Sequence, residues 1–272
     1  MDFGLAGKKA LVAGGSRGIG KAIALELARE GVDIVLTARS IGPLEEAAKK
    51  IAGETGSKVS ALACDATDRA AVDATVDAAA ETLGGLNILI NSASAPGGSP
   101  NAIGRIDTIV DEDFLNDFDT KYMGALRFTR AAIPHLKKAG WGRVINISGT
   151  DSRTPGNLSG GARNTSLVHF TRTLAMQLGR DGITVNCIHP GMTRTERTAV
   201  QLAERSKETG LSPEELEAQD YAEDAPRTNS IGRMVDASEV AYVAVFLASN
   251  QASAMNGELL IPNGGAGKGV WY

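Results

Sequence analysis

A cluster of glycines, Gly14-Gly15-Ser16-Arg17-Gly18-Ile19-Gly20, stands where an apolar run ends and a helical pattern begins. Glycine tolerates positive φ and lets a ligand or another backbone come close. At a strand-to-helix turn, that freedom makes a cradle for a pyrophosphate, whose charge the first N–H groups of the helix favour. The second apolar run ends Leu36-Thr37-Ala38-Arg39. A fold that prefers NAD offers a carboxylate here to the ribose 2′-hydroxyl. Ala38 stands at that place instead, Arg39 follows, and Arg17 approaches from the glycine turn. Guanidinium groups form paired, charge-assisted hydrogen bonds with phosphate. The expected cofactor is therefore NADP, with NAD less suited.

Short β-type runs must position this turn. They are Lys9 to Ala13, Asp33 to Thr37, Val59 to Ala63, Asn87 to Ile90, Arg143 to Ile147, Thr184 to Ile188 and Glu258 to Ile261. Amphipathic segments lie between them; Leu167, Phe170, Leu174 and Leu178, for example, fall on one helix face. Strands alternating with helices predict parallel βαβ units, right-handed crossovers and a doubly wound α/β sheet. Such a sheet is buried on both faces, which explains why its strands are apolar throughout. No internal repeat, low-complexity tract or linker divides residues 1–272, so a single domain is expected. The alternation lapses only at Met192 to Ser230, which is charged, polar and partly helical in pattern. An insertion of that length before the final helix predicts a mobile cover over the substrate.

The 272 residues carry a formal net charge of −4, with 22% charged and 43% apolar residues. That balance supplies no basic face for nucleic acid. No segment approaches membrane-span length, and Met1 to Gly7 lacks the basic stretch and apolar run of a signal peptide. A soluble, cytoplasmic protein with no membrane partner is expected. Cys64 and Cys187, at or near the ends of apolar runs, are expected as buried free thiols. His135, His169 and His189 have no ligand-like spacing, so no metal is expected; His189 is read as a support for backbone. The aromatic tail Val270-Trp271-Tyr272 is apolar surface that a monomer rarely leaves in water, which predicts a homodimer or homotetramer.

Together these motifs resemble those of the classical short-chain dehydrogenase/reductase family, over nearly the whole chain. The glycine turn resembles that family's T-G-x-x-x-G-x-G, with Ala13 in place of Thr. Asp65 matches the carboxylate that contacts adenine, and Asn91 opens the equivalent of N-N-A-G, here Asn91-Ser92-Ala93-Ser94. His189-Pro190-Gly191 and Thr195 resemble the segment against the nicotinamide end, and Gly257 to Gly265 resembles the closing strand. The resemblance implies a single Rossmann-type domain, 1–272, with a doubly wound seven-stranded parallel sheet and the cofactor across its strand ends.

It also implies a catalytic Ser, a Tyr-x-x-x-Lys pair and an Asn. Aligned on Ile145 to Gly149 and Leu167 to Arg172, the Tyr position falls on Gly160, the Lys on Asn164, the Ser on Gly149 and the Asn on Lys121. None of the four is retained in place. Positions 121 and 164 have exchanged Lys and Asn, so Lys121 is expected to restore the positive charge beside the nicotinamide ribose, with Asn164 as its partner. Ser148, next to the lost Ser, and Asp151, a candidate general base, complete the expected catalytic set. Asp151 alternatively pairs with Arg163 or Lys121; Ser152, Ser159 and Arg163 are further polar residues nearby. Tyr122 projects about 100° from Lys121 on a helix and cannot supply the missing phenol.

The expected function is NADP-dependent oxidoreduction of a small-molecule alcohol/carbonyl pair, with a rebuilt proton-transfer group. Two alternatives stay open on the sequence. One is a non-redox lyase, isomerase or hydrolase on this fold; the other is a catalytically silent NADP-binding or sensing protein.

Overall fold

In the computed structural model, which describes residues 2–95 and 97–267, the apolar runs form one parallel sheet. Its strands are β1 (Lys9–Ala13), β2 (Asp33–Ala38), β3 (Val59–Ala63), β4 (Ile88–Asn91), β5 (Gly142–Ile147), β6 (Ile183–Ile188) and, after two short strands described below, β9 (Leu259–Leu260). The order across the sheet is β3-β2-β1-β4-β5-β6-β9. Each expected strand is found, with ends shifted by a residue or so and the last one shortened. The sheet grows outward in both directions from β1, whose Ala13 pairs with Thr37 on one side and Asn91 on the other. That reversal opens a crevice beyond the carboxyl ends of β1 and β4, where ligands of open α/β sheets bind.

Alternation along each strand feeds two cores. Ala10 and Val12 of β1 join a cluster with Ile23 and Leu27 of α1 (Gly18–Arg29) and Val240 and Ala244 of α9 (Ala237–Ala248). Leu11 and Ala13 face the opposite cluster. There they meet Val72 and Val76 of α3 (Arg69–Leu83), Phe128 and Leu136 of α5 (Gly124–Ala139), and Leu167 and Leu174 of α6 (Leu158–Leu178). The predicted α6 stripe, Leu167, Phe170, Leu174 and Leu178, is buried throughout. Cys64 and Cys187 are buried free thiols. Among the described residues, no helix is long and apolar enough to cross a membrane. The tail Val270 to Tyr272, on which the oligomer expectation rests, lies outside the described residues.

Between α4 (Asp111–Phe118) and α5 the chain makes a π-helical turn, Asp119–Met123, which carries Lys121. Wide turns of this kind redirect a side chain and recur at functional sites. The segment from Met192 to Ser230 is more regular than its composition predicted. It holds β7 (Thr193–Arg194), paired with β8 (Val235–Asp236), then α7 (Glu196–Thr209) and α8 (Pro213–Asp220). Only Leu202 of α7 is buried, so apolar periodicity could not reveal this helix. Capping defines the pair instead: Gly210 closes α7 at φ 77, and Ser212 and Glu215 form a capping box on α8.

Candidate active site

The glycine turn fits against its neighbours only because it lacks side chains. A Cβ at Gly14 would lie 2.7 Å from the Ser92–Ala93 backbone, and one at Gly20 would overlap the Gly14 carbonyl oxygen. Gly14 and Gly15 both donate N–H bonds to the Thr37 carbonyl, at 2.8 and 3.1 Å, fixing the turn to the end of β2. Arg17 caps α1 without a side-chain bond, so the first helical N–H groups face outward. One of them, on Gly18, donates to Glu196 Oε2 at 2.9 Å, while Lys21 Nζ meets Glu196 Oε1 at 3.0 Å. A carboxylate therefore rests on donors suited to a phosphate, and the residues of this turn fit a dinucleotide pyrophosphate.

Of the other expected cofactor residues, Thr195 meets this turn directly. Ser16 and Ile19 are half-buried within it, and Arg17 and Arg39 are exposed. Asp65 Oδ1 accepts from Thr67 N at 2.9 Å and Thr67 Oγ1 at 2.8 Å. The Thr67 backbone bond, helped by the Thr67 hydroxyl and by Arg39 and Arg127, holds the Asp65 carboxyl below the usual carboxylate range. Pro190 is buried, and Gly191 packs so closely on Asn263 that a Cβ there would lie 2.8 Å from it. Thr195 sets its methyl group against Gly18.

Asn91 sits at the end of β4 with its side chain turned inward. Its Nδ2 donates to Asn146 Oδ1 at 2.8 Å and Thr129 Oγ1 at 3.0 Å, and Asn146 Nδ2 donates to Thr171 Oγ1 at 2.9 Å. This buried ladder ties β4, β5, α5 and α6 together, so Asn91 shapes the floor of the crevice.

Three of the four expected catalytic residues meet directly. Lys121 is buried, and its Nζ donates to the Ser148 carbonyl at 3.0 Å. Ser148 Oγ in turn donates to the Asn164 carbonyl at 2.9 Å. The expected bond from Lys121 to the Asn164 side chain is replaced by this relay through Ser148. Asn164 Oδ1 is buried without a hydrogen-bond partner among the described residues. Its Nδ2 lies 2.8 Å from where a Cβ at Gly149 would be, so the glycine makes room for Asn164.

Asp151 makes neither of the ion pairs considered for it. Its carboxylate lies where a side chain at Gly160 would begin and accepts from Asn157 Nδ2 at 3.3 Å. A tyrosine at 160 has no room unless Asp151 moves. Tyr122 packs between Phe118 and Phe170, at centroid distances of 5.0 and 5.7 Å, away from Lys121.

A second polar group adjoins this one. Asp117 Oδ2 accepts from Ser159 Oγ at 2.6 Å and Ser99 N at 2.9 Å, with Arg163 Nη1 3.9 Å away. Arg163 Nη1 also donates to the Ala95 carbonyl at 3.2 Å, and all three side chains are buried. Sequence reading missed Asp117. The available signal was its spacing four residues before Lys121, which places both on one helix face.

Burial, and then the nearby Arg163 charge, push the Lys121 ammonium from its ordinary 10.5 down to about 7; Cys187 and Asp151 act in the other direction. An amine at that level gives or takes a proton at neutral pH, as a general acid or base must.

His189 does not simply support backbone. Its Nε2 lies 2.6 Å from Ser152 Oγ, and its buried Nδ1 has no hydrogen-bond partner among the described residues. Burial, with Arg153 and Lys121 nearby, pulls this imidazole from 6.5 down to about 4. The unfolded chain therefore takes up a proton before the folded one, so stability falls as pH drops from about 6.5 through about 4. At ~1.4 kcal/mol per pKa unit, the loss from this group is on the order of 3 kcal/mol. His189→Gln is expected to flatten this acid limb in urea midpoints measured between pH 7 and pH 4. An unchanged limb would show that other groups set it.

The family model described as enoyl-(acyl carrier protein) reductase matches residues 13–267. The chain is 33% identical over 263 residues to the 3-oxoacyl-(acyl-carrier-protein) reductase FabG of Pseudomonas aeruginosa, covering 96% of this chain and 98% of that protein. It is 31% identical over 266 residues to the NADPH-dependent reductase BacG of Bacillus subtilis, covering 97% and 99%. Among solved structures, the L-sorbose reductase of Gluconobacter frateurii, complexed with NADPH and L-sorbose, aligns with a TM-score of 0.90 and 32% identity over 99% of this chain and 100% of that one. The chain belongs to the short-chain dehydrogenase/reductase family.

Proposed function

We propose that this protein is an NADP-dependent oxidoreductase acting on an alcohol/carbonyl pair, with Lys121 as its proton-handling group. The observation that carries the reading is a buried amine, brought to about 7, beside Ser148 and Asn164 at the carboxyl end of the sheet. BacG is NADPH-dependent and the sorbose reductase holds NADPH. Ala38, Arg39 and Arg17 support the same cofactor here, because they offer positive charge and no carboxylate where the 2′-phosphate would lie.

When bound, NADP(H) supplies or accepts the hydride. The glycine turn would hold its pyrophosphate, Arg17 and Arg39 the 2′-phosphate, and Asp65 the adenine. Pro190, Gly191 and Thr195 would border the nicotinamide end. In reduction, the Lys121 ammonium donates a proton to the developing alkoxide oxygen; in oxidation, the free amine removes the hydroxyl proton. Ser148 aims the amine through its carbonyl and fixes Asn164 through its hydroxyl. Asn164 Oδ1 is a vacant acceptor for a substrate or ribose hydroxyl. Asp151, held by Asn157, occupies the space of the family's tyrosine and places a carboxylate near Lys121. With Gly149, Gly160, Asn164 and Lys121 at the four family positions, the site is rebuilt and should be slow on generic ketones.

The Ser152–His189 contact does not favour hydrolysis. An imidazole held near 4 is a poor base for a serine hydroxyl at neutral pH. NADPH oxidation in the presence of a panel of carbonyl compounds tests the reaction, and absence of turnover with every class would remove the redox claim. The cofactor claim has a separate check. Arg39→Asp is expected to weaken NADPH binding by about tenfold or more while leaving NADH binding equal or improved. Equal NADPH affinity in the variant and the wild type would contradict it.

A further inference from the structure

Glu196 is the first residue of α7, and its carboxylate reaches back to the first turn of α1. It bridges Gly18 N–H at 2.9 Å and Lys21 Nζ at 3.0 Å. Gly18 N–H is among the donors that a pyrophosphate at this turn would use, and with a single hydrogen it cannot serve the carboxylate and a phosphate fully at once. The bridge lies at the mouth of the turn, with the Glu196 side chain 55% exposed and Lys21 27% exposed. An incoming phosphate reaches it without opening the core. Burial opposes the carboxylate's charge, yet its own backbone N–H, Gly18 N–H and Lys21 outweigh that and hold Glu196 below its ordinary range. It is an anion at neutral pH.

The strand just before α7 is anchored separately. Thr193 and Arg194 pair with Val235 and Asp236, and Arg194 also binds Glu217 of α8 at 2.7 Å and Asp236 at 2.9 Å. Release of Glu196 therefore frees the first turn of α7 while its root stays in place.

We infer that Glu196 is a displaceable carboxylate occupying the phosphate donors of the glycine turn, so that dinucleotide entry and release of α7 from α1 are one event. The inference rests on the dinucleotide reading given above. Lys21, freed from Glu196, becomes available to the phosphate.

The test is calorimetric titration of wild type, Glu196→Gln and Glu196→Ala with NADPH at low salt, repeated with inorganic pyrophosphate. The alanine variant removes the acceptor as well as the charge, and an exposed position leaves folding intact. Both variants are expected to bind each probe about fivefold or more tightly than wild type. The difference should shrink with added salt, because exposed charges are screened beyond ~8–10 Å. Hydrogen exchange in the first turn of α7 should quicken on NADPH binding to wild type and be fast already in both variants. Equal or weaker NADPH binding by the variants overturns the displacement and leaves the cofactor reading standing. Unchanged α7 exchange on NADPH binding overturns the coupling. Failure of all three proteins to bind NADPH overturns both readings.

Discussion

Lys121→Met is expected to lower turnover about a thousandfold, within the range that general acid–base groups contribute, and at the same time to stabilise the protein. Methionine keeps the length and apolar stem of the side chain and removes the charge. The stability effect follows from the direction of the shift. The folded-state value of about 7 lies below the ordinary 10.5, so across that window the unfolded chain binds more protons. Stability therefore rises with pH through the window, and the penalty is complete below about pH 7. At ~1.4 kcal/mol per unit, it is on the order of 5 kcal/mol. Losing the bond to the Ser148 carbonyl offsets part of the gain, leaving the variant ~2 kcal/mol more stable at pH 7. Urea midpoints at pH 7 and pH 10 check this, since the advantage should narrow at the higher pH. A stable variant with unimpaired turnover would remove Lys121 from the mechanism. A less stable variant would mean that the amine is not buried as described.

Gly20→Ala should abolish useful dinucleotide binding. The added methyl would overlap the Gly14 carbonyl oxygen, which is backbone, and would crowd the Ser92 hydroxyl at 3.2 Å. Relief requires opening the turn, with a stability cost of ~1–3 kcal/mol as in other overpacked sites and an NADPH affinity lower by about a hundredfold. Gly18→Ala is the control. Gly18 has φ +60, but the nearest atom to an added Cβ is the Thr195 methyl at 3.6 Å. Only the backbone conformation then opposes the change, at ~1–2 kcal/mol. Similar NADPH affinities for the two variants would show that close packing at Gly20 is not what shapes the cradle.

The sheet was legible because burial on both faces forces continuous apolar strands, and the glycine turn because backbone contact excludes side chains. The end of β4 was less so. Asn91 closes that strand as a polar residue, satisfied by Asn146 and Thr129 from elements remote in sequence. Spacing singled out Lys121 and Asn164 as candidate partners, but not where either side chain points. That direction depends on the π-helical turn at Asp119–Met123, which no local pattern announced. The replacement of a side chain at Gly160 by the Asp151 carboxylate, and the bridge from Glu196 to Gly18, exist only in the folded chain. The helices between Met192 and Ser230 were obscured for a different reason: their caps define them while their apolar faces are nearly absent.

The most direct measurement is a calorimetric titration of the wild-type protein with NADPH and with NADH at pH 7. The arrangement of Ala38, Arg39 and Arg17 at the glycine turn predicts NADPH binding at least about tenfold tighter than NADH. Equal affinities, tighter binding of NADH, or no binding of either would contradict it.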